Sequence, residues 1–111
     1  MKEIKAIIPP HRLAKIRSAM RNLKKFPGMT VNKIDGCGYG LKNVTNNLEN
    51  ELTDYTPKVL IQIITPDDLV EGILQIIVET AHTGQQGGGL VWVTPIERMI
   101  ELAEKIIVRD S

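Results

Sequence analysis

The apolar positions in the first third of the chain change their period twice. Over residues 3–8, Ile4, Ala6 and Ile8 alternate with Glu3, Lys5 and Ile7, the period of two expected of a strand with one buried face. Pro9-Pro10 ends that strand. From His11 the spacing becomes three and four, placing Leu13, Ile16, Met20 and Leu23 on one stripe of a helix. Phe26-Pro27-Gly28 stops the helix, and residues 29–35 predict a second strand. Lys33-Ile34 breaks its alternation, a break that a bulge would accommodate.

The second half repeats the theme. Val59-Leu60-Ile61-Gln62-Ile63-Ile64 is apolar on both faces, so residues 57–64 predict a central strand. Thr65-Pro66-Asp67-Asp68 predicts a helix start, with Thr65 as N-cap, Pro66 at the first helical position and two acids facing the helix dipole. Val70, Ile73, Leu74, Ile77 and Ala81 follow on one face, and Gly84 stands where a left-handed cap is wanted. Residues 90–93 predict a fourth strand. Thr94-Pro95-Ile96-Glu97 has capping-box spacing, and Ile96, Ile100, Ala103 and Ile107 supply the stripe of a terminal helix.

The resulting order, β-α-β-β-α-β plus a C-terminal helix, is the α+β ferredoxin-like arrangement. At 111 residues the chain has the size of one domain, taken as residues 1–111. That topology hosts many functions, so activity has to come from a site. The connection over residues 36–56 is long, lacks a clear period and holds Asn43, Asn46, Asn47 and Asn50. Connections of this length tend to carry function.

Composition narrows the classes. A net charge of +1 offers no overall attraction to nucleic acid or an anionic membrane. Between His11 and Ile34 there are seven Lys or Arg and no acid, which reads as an anion-binding face or, more simply, as the solvated side of one amphipathic helix. No aromatic residues interleave with these cations, which argues against single-stranded nucleic acid. Cys37 is the only cysteine, so no intrachain disulfide forms and a reducing compartment is expected. The start, Met1-Lys2-Glu3-Ile4-Lys5, lacks signal-peptide architecture and no apolar run reaches membrane-spanning length. A cytoplasmic location is the expectation.

The stretch Thr83-Gly84-Gln85-Gln86-Gly87-Gly88-Gly89-Leu90-Val91-Trp92-Val93 carries the strongest chemical signal. Three successive glycines leave backbone N–H groups open to close approach by an anion, or serve a tight turn needing positive φ. Other chemistries are poorly supported. Cys37, His11, His82, Glu49, Glu51 and Asp54 are the available metal ligands, but none shows the pairing of known metal motifs, and Cys37 is the one weak candidate. No nucleophile elbow, catalytic triad order or Walker motif is present, so no enzyme is expected.

Several short motifs in order carry a family resemblance. Met1-Lys2-Glu3-Ile4-Lys5-Ala6-Ile7-Ile8, Gly28-Met29-Thr30-Val31, Gly36-Cys37-Gly38, Pro57-Lys58-Val59, Pro66-Asp67-Asp68 and the glycine turn run through nearly the whole chain. Together they resemble the nitrogen-regulatory PII signal-transduction family. The resemblance implies a homotrimer with a nucleotide in each cleft between subunits. Ile7, Thr30, Gly36, Gly38, Gln62 and Ile64 would frame adenine and ribose, Gly87, Gly88 and Gly89 would cradle phosphate, and Lys58 would sit at the base of the long loop. That loop, with Tyr39, Asn43, Asn46, Asn47, Glu49 and Tyr55, would contact a partner such as a membrane transporter or efflux system.

The chain departs from the family pattern at its cations. Tyr39 and Gly40 follow Gly38 where the family has Arg and Gln, Leu90 replaces the Lys of the glycine turn, and Glu101 and Ala103 stand at two phosphate-facing arginines. Each charge-assisted bond to phosphate is worth roughly 1.5–3 kcal/mol, so the expected ligand is an adenine nucleotide with few phosphates: AMP or ADP ahead of ATP. The chain is therefore expected to be a divergent PII-like protein, a regulatory trimer responding to a small effector. The alternatives are a metal-responsive CutA-like trimer using Cys37 and a scaffold trimer without ligand.

Overall fold

The computed structural model describes residues 1–23, 28–36, 55–82, 89–103 and the backbone of 106–108. Strand β1 (Lys2–Ile8) leads through a 3-10 turn (Pro10–Arg12) into helix α1 (Leu13–Met20). Strands β2 (Thr30–Gly36) and β3 (Thr56–Thr65) follow, then a second 3-10 turn (Asp67–Leu69), helix α2 (Val70–Ala81) and strand β4 (Leu90–Pro95). Strands β5 (Met99–Glu101) and β6 (Ile106–Val108) complete the order.

The sheet runs β2-β3-β1-β4 with every pair antiparallel. The expected central strand is indeed interior: Val59 to Thr65 of β3 pair with β1 while Thr56 to Gln62 pair with β2. Pro57 is tolerated because it precedes the stretch that pairs with β1, so its missing N–H interrupts no ladder on that side.

Alternation assigns the two faces. Ile4, Ala6 and Ile8 of β1 and Val59, Ile61 and Ile63 of β3 are buried with Ile16 and Met20 of α1 and Val70, Ile73 and Ile77 of α2. Leu13 of α1 packs against this core, as does Leu23, which lies beyond the end of the helix at Met20. Both helices thus cover one face of the sheet, and the ferredoxin-like α+β fold expected from the pattern is the fold observed.

Three local expectations are corrected. The terminal helix does not form: β4 continues through Thr94 and Pro95, which pair with Glu3 and Lys2, and the Ile96 N–H donates to the Met1 carbonyl at 3.1 Å. The capping residues are thereby committed to the sheet. Met99, Ile100 and Glu101 instead pair with Val108, Ile107 and Ile106 in a separate ribbon, and the β-branched run Ile106-Ile107-Val108 suits a strand better than a helix.

Thr65 is not an N-cap either. It is fully buried as the last residue of β3, opposite Lys2, and its hydroxyl donates to the Pro66 carbonyl at 3.2 Å. A residue before proline is held extended, so Pro66 becomes the N-cap of the 3-10 turn. Finally, β2 contains no bulge; its register with β3 is continuous from Thr30–Gln62 to Gly36–Thr56. As an edge strand it exposes Lys33 without disrupting pairing. Gly84 and the Phe26-Pro27 stop lie outside the described residues.

Asp67 ties the chain start to the helical layer. The Met1 ammonium lies 3.0 Å from its carboxylate, and Lys2 Nζ donates to both oxygens at 3.2 and 3.3 Å. The amino-terminal hydrogen bond, then that from Lys2, holds the Asp67 pKa below the usual carboxylate value. A carboxyl whose folded pKa is depressed contributes stability above its unfolded pKa and loses it as pH falls through the folded one. Asp67→Asn is therefore expected to lower the urea midpoint at pH 7, with the gap to the parent narrowing as pH falls below about 4. A gap that stays constant from pH 7 to pH 3 contradicts this role.

Candidate functional site

Among the described residues, nothing covers the face of the sheet opposite the helices. Register places Leu90, Ile7 and Leu60 in one row across β4, β1 and β3, and Trp92, Lys5, Gln62 and Thr30 in the next. Glu3 lies between Thr94 and Ile64 in a third row. Ile7 is buried by its neighbours, but Ile64, Leu90 and Trp92 stay exposed at 42%, 41% and 38%. Large apolar side chains lined up on one sheet face are the usual mark of an interaction surface.

The expected nucleotide residues divide into two groups on this face. Thr30, Gln62 and Ile64 form the first, lining an open depression of about 310 Å³ with Glu3, Gly28 and Met29. Asn32 Nδ2 donates to Gln62 Oε1 at 3.3 Å and orients that amide. Ile7, Gly36, Lys58 and Gly89 form the second group, at the opposite end of the strands. Ile7 is paired with Leu60 and Leu90, Lys58 with Ile34, and Gly36 with Thr56, whose hydroxyl donates to the Gly36 carbonyl at 3.3 Å. Gln62 and Lys58 are four residues apart on β3, or ~13 Å at the usual strand rise. One chain therefore does not gather the whole set at one point.

Gly89 has a backbone reason to be glycine. Its φ is +127°, and a Cβ there would run into the Ile7 carbonyl. The end of the glycine turn is thus drawn against the backbone of β1 more closely than any side chain permits. Gly38, Gly87, Gly88, Tyr39, Asn43, Asn46, Asn47, Glu49 and Cys37 lie outside the described residues. Tyr55, at the base of that loop segment, is exposed just before β3.

The cation departures that are described sit as follows. Leu90 opens β4 next to Gly89, Glu101 ends β5 and is exposed, and Ala103 is exposed beyond it. The two histidines are exposed at helix ends, His11 in the first 3-10 turn and His82 after α2. Among the described residues, no group of three or more His, Cys, Asp or Glu is placed to hold a metal ion. No helix there is long and apolar enough to cross a membrane.

Glu3, Gly28 and Met29 were not singled out as site residues by sequence reasoning. Glu3 reads as an ordinary polar position of an alternating strand. Only the β1–β3 register, which sets it opposite Ile64, reveals that it borders the same depression as Gln62.

Comparison with known proteins follows the same lines. Residues 1–105 match the family described as nitrogen regulatory protein P-II. The chain is 34% identical over 104 residues to the nitrogen regulatory protein P-II of Haemophilus influenzae, covering 92% of this chain and 91% of that protein. It is 36% identical to nitrogen regulatory protein P-II 1 of Escherichia coli K12 and 35% identical to nitrogen regulatory protein P-II of Azospirillum brasilense, with the same coverage.

Replacing Gly89 with Ala tests the close approach to Ile7. The strained φ and the collision are together expected to cost roughly 1–3 kcal/mol in urea denaturation. Gly28→Ala meets no atom within 4 Å although its φ is +110°, so it is expected to cost less. An equal or smaller loss for Gly89→Ala would show that β4 relaxes away from β1.

Proposed function

The chain belongs to the nitrogen regulatory protein P-II family, and from that premise we propose that it works as a homotrimeric regulator of a partner protein. An adenine nucleotide with few phosphates binds between its subunits, and residues 36–56 carry the response to a partner, a membrane transporter being the favoured kind. The family is one of signalling and regulatory proteins. The metal-efflux link expected for this chain has no support in the relatives named above, which carry the nitrogen-regulation name.

The observation that carries the reading is the uncovered sheet face with its exposed Ile64, Leu90 and Trp92. A sheet buried on one side only by two helices leaves apolar area that further copies of the same chain can cover. The β5–β6 ribbon adds to this. It joins no strand of the four-stranded sheet, and it leaves Ile100 exposed, with Leu102 just beyond β5 at 86% exposure. A two-stranded ribbon is marginal by itself, and packing on a neighbour supplies what it lacks.

The split of the candidate residues fits the same assembly. With the Ile7–Gly89–Lys58 end of one subunit set against the Thr30–Gln62–Ile64 depression of the next, two incomplete groups make one cleft. Ligand binding at such a joint biases whichever loop conformation it favours, which is the physical basis of the switch.

The charge pattern selects among nucleotides. Leu90, Glu101 and Ala103 contribute no cation, so added phosphates gain little and a carboxylate nearby repels them. Isothermal titration with AMP, ADP and ATP, with and without Mg²⁺, is expected to show micromolar binding of AMP or ADP and no tighter binding of ATP. Leu90→Lys restores one charge-assisted bond and is expected to tighten ATP about tenfold or more. Absence of heat from all three nucleotides contradicts the proposal.

A further inference from the structure

The largest imbalance of charge in the chain plays no part in the nucleotide reading. All 13 acids lie outside residues 11–34, a segment that carries seven Lys or Arg. The net charge of +1 therefore hides a segregation, and at physiological salt a surface responds to charges within ~8 Å rather than to the total. Lys15 and Arg17 of α1 and Arg21 at its C-cap are exposed, and none of the three has an ion-pair partner among the described residues. Arg17 and Arg21 stand about one turn apart, a like-charge spacing that costs helix stability. Beside them on the outer surface are Ala14 and Ser18, both small and exposed.

From this arrangement we propose that the outer face of α1 is a peripheral docking surface for an anionic lipid bilayer, held to the headgroups by Lys15, Arg17 and Arg21 without insertion. The inference goes beyond the nucleotide reading and does not depend on it.

Position keeps this face available. α1 covers the helical side of the sheet, whereas the copies proposed for the trimer cover the other side. The arginines also point away from the acids of α2. Arg12 reaches the Thr80 carbonyl at 3.5 Å and Leu23 lies beside Gly72, which marks the flank of α1 that meets α2. By the helical period, Arg17 and Arg21 project from the opposite flank, so Glu71 and Glu79 leave them unneutralised. The chemistry of the face then selects its occupant. Among the described residues, none of the large exposed apolar side chains is on α1, and protein interfaces are anchored by such groups. Small residues between long cations offer no pocket for a partner's side chain. What the face presents is positive charge over ~9 Å of helix axis, with no shape to be matched. A bilayer surface of dense phosphate headgroups fits that description.

The test is co-sedimentation of the intact protein with vesicles of phosphatidylglycerol and phosphatidylcholine, and with vesicles of phosphatidylcholine alone. Binding is expected to the anionic vesicles only, and is expected to vanish as NaCl rises from about 0.1 to about 0.5 M. Arg17→Gln and Arg21→Gln should each weaken it about fivefold, the equivalent of ~1 kcal/mol per cation near an anionic surface. Arg98→Gln removes an exposed cation outside α1 and should leave binding within about twofold of the parent. The thermal midpoint of Arg17→Gln is expected to hold or rise, because the repulsion from Arg21 is relieved, so its lost binding is not lost folding. Equal losses in all three variants would reduce the effect to net charge and overturn the proposal, as would equal binding to the two kinds of vesicle. Displacement from vesicles by inorganic phosphate at constant ionic strength would mark a small-anion site instead. Failure on vesicles together with binding to poly-L-glutamate would mark an acidic protein partner. Either of these overturns the bilayer assignment, and none of the outcomes touches the nucleotide titrations.

Discussion

A four-stranded sheet with helices on only one side is the constraint on which the rest of this molecule depends. β1 lies between β3 and β4, sends Ile4, Ala6 and Ile8 into the core beneath α1 and α2, and turns Glu3, Lys5 and Ile7 to the other side. The helical side is complete: Ile16, Met20, Ile73 and Ile77 close it. The other side is a mixed surface in which Leu60, Ile64, Leu90 and Trp92 surround Lys5, Gln62 and Glu3. A chain of this size has little core to spare, so in the proposed trimer further copies would cover the second face and form clefts where their edges meet. The proposed assembly and ligand site both follow from this unbalanced sheet.

The position of the glycine turn follows from that sheet as well. Gly89 abuts the Ile7 carbonyl so closely that no side chain fits, which places the start of β4 beside the end of β1. Lys58 and Gly36 mark the same end, where the long 36–56 segment leaves and returns. Gly89, Lys58 and Gly36 are thus brought to one end of the sheet by strand register alone. What this chain alters relative to the family pattern is charge, not geometry. Leu90, Glu101 and Ala103 stand where the family pattern has cations, and in the proposed cleft they would weaken the hold on phosphate.

The sequence made the main architecture legible because periods of two and of three to four are hard to confuse over seven or more residues. β1 and β3 emerge within a residue of the expected ends, while α1 closes at Met20 ahead of the Leu23 position of its stripe and α2 opens at Val70 after a 3-10 turn. The terminal segment misled because Ile96, Ile100, Ala103 and Ile107 satisfy a helical stripe while Ile100 and Ile107 are equally register partners in a two-stranded ribbon. Short apolar spacings do not decide between the two. Thr65 misled because its side chain is that of an N-cap, yet the proline after it and Lys2 opposite hold it in the strand. Thr30, Gln62 and Ile64 line one depression, and their distance from Gly89 and Lys58 follows from strand length. Glu3 was beyond sequence reasoning, since its neighbour Ile64 is set by a pairing register that no local pattern encodes.

Sedimentation equilibrium of the purified chain at micromolar concentration tests the central claim most directly. The proposed trimer requires a species of three times the 12.4 kDa chain mass, with no monomer over the concentration range. A stable, well-folded monomer would mean that the exposed row of Ile64, Leu90 and Trp92 needs no partner, and the cleft between subunits would have no basis.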